Sequence, residues 1–345
     1  MNAMAFPVDI GAVARGEVCD AAVRKMLRFG VMAELRRLKE GGRAEQCARK
    51  MRLVHSLAEE PIAVATGEAN RQHYEVPPEF FRVVLGKRMK YSCALWRDGV
   101  TDLDTAEEAM LETVCRRAGL TEGQRVLDLG CGWGALSLYI AALYPSCQVL
   151  ALSNSQAQRA FIEAAARSSS IKNLRVETGD IASWKTDRCF DRILSIEMFE
   201  HMRNYTALMA KLAGWLAPDG KLFVHVFSHR LHAYRIEGNW MAERFFTGGL
   251  MPSDDLLLHF QRDLSLLDRW CLDGTHYQKT CEAWLQRLDA NREQALAALT
   301  GAQGDASPLY TLTEFRLFFM TCAEAFGYEQ GQEWGISHYL FGGNS

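Results

Sequence analysis

The stretch RVLDLGCGWGALSLYIA, residues 125–141, decides how the rest of the chain is read. An apolar strand over 125–130 runs into Asp128, Gly130, Gly132 and Gly134 at alternate positions, and a helix is predicted over 134–144. A strand delivers such a loop to its carboxyl edge, where open α/β sheets hold ligands. Gly130 and Gly132 carry no Cβ, so the backbone there can turn tightly and approach a ligand. Gly134 lets the next helix pack close to the strand. The spacing is Gly-x-Gly-x-Gly, not the Gly-x-Gly-x-x-Gly of dinucleotide sites, and no lysine-bearing phosphate loop is present. A carboxylate inside the loop, Asp128, suits a nucleoside that carries an amino acid better than it suits a pyrophosphate.

Outward from this loop, strands and helices alternate. Strands are predicted over 147–153, 174–179, 190–196 and 220–227, with helices over 104–118, 156–167 and near 204–216. Apolar strands separated by amphipathic helices predict a doubly wound, mostly parallel sheet. The alternation stops at residue 228. A lid-like insertion is expected over 228–262, then a strand over 264–272, helices near 280–299 and 311–326, and a last strand over 334–341, which makes seven strands in all. The expected organisation is a helical N-terminal extension and cofactor cover over 1–103. A catalytic domain follows over 104–345, with substrate-covering insertions at about 228–262 and 274–330.

Residues 9–56 read as helices, because Met26, Leu27, Phe29, Val31, Met32 and Leu35 recur at helical spacing among Arg and Lys. The first 60 residues hold eleven Lys/Arg and eight Asp/Glu, a net charge of +3. A solvated helical cap accounts for this; a membrane-surface helix is the minor alternative. Residues 61–104, with Pro77-Pro78 and several aromatics, are too apolar for a linker and are expected to pack over something.

The formal net charge is −3, so the basic excess of a nucleic-acid binder is missing. None of the ten cysteines falls in a Cys-x-x-Cys pair or at zinc-ligand spacing, so reduced thiols and no metal centre are expected. The N-terminus carries Asp9 and Glu17 and lacks a basic-then-apolar leader pattern. No apolar run reaches the roughly 20 residues needed to cross a bilayer. A cytoplasmic protein without membrane contact is the expectation, and a homodimer is left open.

Polar residues stand at successive strand ends. Ser153, Asn154 and Gln158 follow the second strand, where they are placed for a ribose; dinucleotide enzymes usually have Asp or Glu there. Asp180 and Ile181 follow the third strand, where Asp180 can accept from an adenine amino group. Each alone is as readily a helix cap, but together they outline an adenosine pocket. The fourth strand ends at Ile196 and runs into EMFEHM, 197–202. If this stretch opens a helix, Glu197, Glu200 and His201 share one face at i, i+3 and i+4. A polar helix start is the bland alternative.

On these residues, and on NRQHYEVPPEFF (70–81), KYSC (90–93), SNSQAQ (153–158), WMAERFFTGGLMPS (240–253) and GTHYQKT (274–280), the chain resembles the cyclopropane fatty acid synthase superfamily. Within it, the chain is most similar to the coclaurine N-methyltransferase type, from about residue 61 to the C-terminus. The resemblance implies a class I, Rossmann-like S-adenosylmethionine methyltransferase that releases S-adenosylhomocysteine. It implies that Tyr91 and Ser92 close over the cofactor, that Gly130 meets its methionine part, that Asn154 and Gln158 lie at the ribose and Ile181 at the adenine. Glu200 and His201 match a catalytic pair, and Glu197 an additional carboxylate. The lipid-modifying branch binds a bicarbonate-like base through positions that are Cys93, Glu200, His225 and Tyr277 here. Glu197 and Thr247 depart from that branch, which has a small residue and a Pro there.

The implied activity is N-methylation of a small amine, alkaloid-like or aromatic. The alternatives are methylene transfer to an unsaturated acyl chain of a phospholipid and a non-catalytic protein that binds the cofactor. A sulfonium donor and an ammonium substrate are both cations, and a dry pocket can hold them together only with compensating negative charge. The amine must also lose a proton before it attacks, a task for a Glu/His pair. Trp240, Phe245 and Phe246 read equally as lid core or as an aromatic wall facing a cationic amine.

Overall fold

The computed structural model describes residues 9–64, 76–300 and 307–343. Residues 70–75 of the NRQHYEVPPEFF motif and 301–306 of the second insertion lie outside them. The five alternating strands form where the apolar runs stand: β1 (Arg125–Leu129), β2 (Gln148–Ser153), β3 (Leu174–Thr178), β4 (Phe190–Ile196) and β5 (Leu216–His229). A two-stranded ribbon, β6 (Tyr234–Arg235) on β7 (Leu250–Met251), sits in the first insertion. Two long strands follow, β8 (Leu264–Asp273) and β9 (Trp334–Gly343).

The seven-stranded sheet has the order β3-β2-β1-β4-β5-β9-β8, with β9 antiparallel to both neighbours. Strands covered on both faces must be apolar on both faces. In β1, Val126 joins one buried cluster while Leu127 and Leu129 join the other. The order reverses at β1 and β4, with β2 and β3 to one side and β5 to the other. The crevice at the carboxyl ends of β1 and β4 is therefore the expected ligand position.

Helices α1 (Ile10–Ala14), α2 (Asp20–Lys39) and α3 (Gly42–Ala58) form the N-terminal part. The buried stripe of α2 is Val23, Leu27, Val31, Leu35 and Leu38. Phe29, expected among the apolar positions, points outward at 59% exposure. Helix α4 (Pro78–Val84) starts at Pro78, whose fixed φ suits a first helical turn, and buries Phe80 and Phe81. Helices α5 (Leu103–Arg117), α6 (Ala135–Leu143), α7 (Gln156–Ser168) and α8 (Tyr205–Ala213) flank the sheet as predicted.

The insertions hold α9 (Trp240–Arg244), then α10 (Thr275–Ala290), α11 (Arg292–Leu299) and α12 (Pro308–Phe326). Helix α10 begins earlier than the sequence pattern suggested, because the turn before it is locked. Gly274 N donates to Gly331 O at 2.9 Å, and Thr275 N to Asp273 Oδ1 at 2.9 Å. Helix α2 lies along α12, and Arg24 bonds both Glu282 of α10 and Glu324 of α12. Among the described residues, no helix is long and apolar enough to cross a membrane, and no His/Cys/Asp/Glu group could hold a metal ion.

The start of α10 leaves no room for a side chain. A Cβ on Gly274 would lie 2.1 Å from Phe326 O and 2.3 Å from Trp334 O, both backbone atoms. Gly274→Ala is expected to lower unfolding free energy by about 1–3 kcal/mol or more, as overpacking does. Urea denaturation followed by circular dichroism measures this; an unchanged midpoint would show that the turn yields freely.

Candidate active site

The glycine loop makes the floor of a cleft at the carboxyl ends of β1 and β4. Gly130 and Gly132 take φ of +81° and +51°, and the N–H groups of Gly130 and Cys131 both donate to Leu152 O at 3.0 Å. Gly130, Gly132, Ser153, Asn154, Gln158, Asp180 and Ile181 all line this cleft. A second recess adjoins it, sharing Gly130, Gly132, Gln158 and Glu197. Tyr91, Ser92, Asp128 and Ile196 line that recess, so the structure brings the eleven expected cofactor positions to two adjoining recesses.

Several of these residues also have local duties. Asp128 is buried and accepts from Ser137 Oγ at 2.5 Å, which ties β1 to α6; burial pushes its carboxyl up to about 6, against the Ser137 hydroxyl. Asp180 Oδ1 accepts from Ala182 N at 2.8 Å, the local turn that its position allowed. Ser153 Oγ donates to Gln158 Oε1 at 2.6 Å and accepts from Ser155 N at 3.0 Å. That leaves the buried Gln158 Nε2 with no partner among the described residues. A buried donor without a partner costs free energy that a ligand acceptor recovers. A Cβ on Gly130 would meet Met198 Cγ at 2.8 Å, so the glycine preserves the open floor. The donor and the cradle fit a ribose-bearing nucleoside.

The stretch after β4 is not the expected helix. Glu197 takes the left-handed φ of +46°, and only a 3₁₀ turn over Phe199–His201 follows before α8. The single shared face of Glu197, Glu200 and His201 does not form. Glu197 N still donates to His225 O at 2.8 Å, so the strand pairing persists while the next turn is redirected. Glu197 and His201 line the cleft; Glu200 does not, and its side chain is 1% exposed. One oxygen of Glu200, Oε2, has no partner among the described residues.

The Glu197 carboxylate collects three donors. Its Oε1 accepts from Cys93 N at 2.9 Å and lies 3.2 Å from His225 Nε2, and its Oε2 accepts from Tyr277 OH at 2.7 Å. Burial raises the Glu197 carboxyl, while the Lys90 charge, the Cys93 N–H and the Tyr277 hydroxyl oppose that rise. Burial, and then the Glu197 charge, push Glu200 well above the ordinary carboxylate range. With donors on one group and none on Oε2 of the other, the negative charge belongs on Glu197. Burial holds His225 well below its ordinary value, so its ring is neutral.

Three positions that the resemblance linked to a bicarbonate-like base, Cys93, His225 and Tyr277, thus surround the Glu197 carboxylate. The Cys93 thiol itself is buried and faces Ala94 O at 3.3 Å. Phe246 stacks on His201, with centroids 6.2 Å apart and planes at 15°. Trp240, Phe245 and Phe246 line neither recess. Phe245 is 2% exposed, stacks on Phe318 at 4.3 Å and meets Trp240 edge-on at 5.3 Å, so this pair is lid core.

Lys90 escaped the sequence reading. It is 2% exposed, donates to Ser92 Oγ and Cys93 O at 2.6 Å each, and lines the second recess. Its place in the KYSC motif, beside two residues already assigned, was the available signal. Thr247, noted only for its departure from the lipid branch, lines the cleft.

This geometry agrees with what the chain is similar to. Residues 64–334 match the family described as mycolic acid cyclopropane synthetase. The (S)-coclaurine N-methyltransferase of Thalictrum flavum subsp. glaucum is 40% identical over 338 residues, 94% of this chain and 92% of that protein. The (S)-tetrahydroprotoberberine N-methyltransferase of Eschscholzia californica is 34% identical, over 96% of this chain and 97% of that one. The crystal structure of a coclaurine N-methyltransferase bound to N-methylheliamine and S-adenosylhomocysteine superposes with a TM-score of 0.92 at 36% identity, covering 96% of this chain and 98% of the other. Matched over most of its length, the chain belongs to the mycolic acid cyclopropane synthetase family and is an S-adenosylmethionine-dependent methyltransferase.

Proposed function

We propose that the enzyme methylates the nitrogen of a small, ring-bearing amine of the alkaloid kind. The observation that carries this is the Glu197 carboxylate at the junction of the two clefts, held by Tyr277 OH, Cys93 N and His225 Nε2. When bound, S-adenosylmethionine supplies an electrophilic methyl group on a positively charged sulfur. Glu197 provides the fixed negative charge against which that cation and an ammonium can be brought together. The donors that a bicarbonate-like base would need are occupied by this side chain, which favours an amine acceptor over an acyl chain.

His201 lines the cleft and is the group placed to take the proton from the ammonium. Glu200, one residue before it and raised in proton affinity by burial and by Glu197, is suited to receive that proton in turn. The freed lone pair forms the N–C bond as the C–S bond breaks and its electrons return to sulfur. Phe246, stacked on His201, orients that imidazole. Positioning, more than acid–base chemistry, sets the rate of such an in-line transfer. The relatives named for coclaurine and tetrahydroprotoberberine support this substrate class.

Incubation with methyl-labelled cofactor and a panel of secondary and tertiary amines, including coclaurine and a tetrahydroprotoberberine, is expected to give labelled amine. Activity should rise with pH. Burial raises Glu197, so its charge is lost on acidification earlier than that of an ordinary carboxylate, and the free amine is lost with it. Label found only in added phospholipid vesicles would reverse the proposal.

His201→Ala and Glu200→Ala are each expected to lower turnover by about 100-fold or more, with S-adenosylhomocysteine affinity by calorimetry nearly unchanged. Loss of that affinity in both variants would mean that the cluster serves the cofactor instead. Gly130→Val should behave oppositely, abolishing calorimetric binding, because its Cβ fills the cleft floor at a positive φ.

A further inference from the structure

Behind Glu197 a row of side chains crosses three neighbouring strands. His225 on β5 pairs across the ladder with His338 on β9, and His338 pairs with Trp270 on β8. His225 Nε2 is 3.2 Å from Glu197 Oε1, His225 Nδ1 is 2.9 Å from His338 Nε2, and His338 Nδ1 is 2.7 Å from Arg117 Nη1. Arg117 is the last residue of α5, and its guanidinium lies 4.9 Å over the Trp270 ring. Both histidines are 0% exposed, and neither Arg117 nor His338 lines the clefts.

The far end of this row fixes its direction. A guanidinium has N–H donors and no acceptor. His338 Nδ1 must therefore accept, which puts the proton of a neutral ring on Nε2. His338 Nε2–H then donates to His225 Nδ1, and His225 Nε2–H donates to Glu197 Oε1. Burial keeps both rings neutral; Lys90 and Arg117 add to it at His225, and His225, Arg117 and Lys90 at His338.

We propose that Arg117 and His338 are positioning residues for methyl transfer: through His225 they preset an N–H donor on Glu197 and hold that carboxylate charged in the cleft. This rests on the reading of Glu197 as the charge that compensates the reacting cations. Without Arg117, His338 is free to carry its proton on Nδ1. The row then reverses, and His225 presents a lone pair to Glu197, which keeps the hydrogen bond only by becoming protonated. Other groups face Glu197 as well: Lys90 and Cys93 from the segment after α4, Tyr277 and Cys281 from α10, and Glu200 and His201 from the turn that follows it. Around Arg117 lie Arg116, Arg97, Asp268 and Cys271. All of these remain in an Arg117 variant, so a changed pH response belongs to the row.

The test combines imidazole ¹⁵N NMR of the resting wild-type enzyme with pH profiles of kcat/KM for amine methylation. The wild type should show Nε2–H tautomers at His225 and His338. Arg117→Met should move the acid limb of kcat/KM upward by about one pH unit, with S-adenosylhomocysteine affinity held within about twofold. Arg117→Lys, which keeps a donor-only cation, should restore the limb. An Arg117→Met enzyme with an unmoved limb overturns the proposal, and so does an Nδ1–H proton on either ring in the wild type. The tautomers are read in the intact protein, so a variant that fails to fold still leaves the matter decided. A wild type that methylates no amine would instead defeat the functional reading, a result distinct from activity with an unmoved limb.

Discussion

A carboxylate removed from water is costly, by several kcal/mol even after relaxation, and Glu197 is kept buried where two clefts meet. The structure offsets that cost from three distant parts of the chain. Cys93 supplies a backbone N–H, Tyr277 a hydroxyl from the start of α10, and His225 an imidazole from β5. Lys90 adds a buried positive charge nearby. The same contacts that satisfy the carboxylate therefore tie the segment after α4, the start of α10 and the sheet to one point. A left-handed backbone at a non-glycine residue costs of order 1–3 kcal/mol, and strain of this kind tends to collect at functional sites.

The chemistry follows from that charge. A sulfonium and an ammonium repel, and a fixed anion between them lowers the work of bringing them together in a low dielectric. Two buried carboxyls one turn apart cannot both ionise easily, so their environments split them: donors favour charge on Glu197, and burial favours a proton on Glu200. Such separation of neighbouring titratable groups is how one site holds a charge and handles a proton at the same pH.

Aromatic packing joins the helices around the site, alongside polar contacts. Phe80 and Phe81 both meet Phe315, Phe81 also meets Tyr91 and Trp133, and Phe245 stacks on Phe318. Tyr91 thereby links the lid core to the second recess. The glycine at 274 lets α10 start against the backbone of β9 and of the end of α12, which sets where Tyr277 stands three residues later. Half-buried ion pairs from Arg24 to Glu282 and Glu324 orient α2 on these helices.

The sheet, its seven strands, the glycine loop and the polar strand ends that line the cleft were legible along the chain, because period, apolarity and turn chemistry are local properties. The sequence also pointed to Glu197, Glu200 and His201, but as one face of a helix. Folding alone makes Glu197 turn through a positive φ, keeps Glu200 off the cleft lining, and packs Phe245 on Phe318 while Phe246 meets His201. His338 and Arg117 carry no local pattern that separates them from packing or solvated residues. Their meaning arises when segments more than a hundred residues apart place hydrogen-bonding atoms within 3 Å of one another, a convergence that side-chain spacing along one segment does not encode.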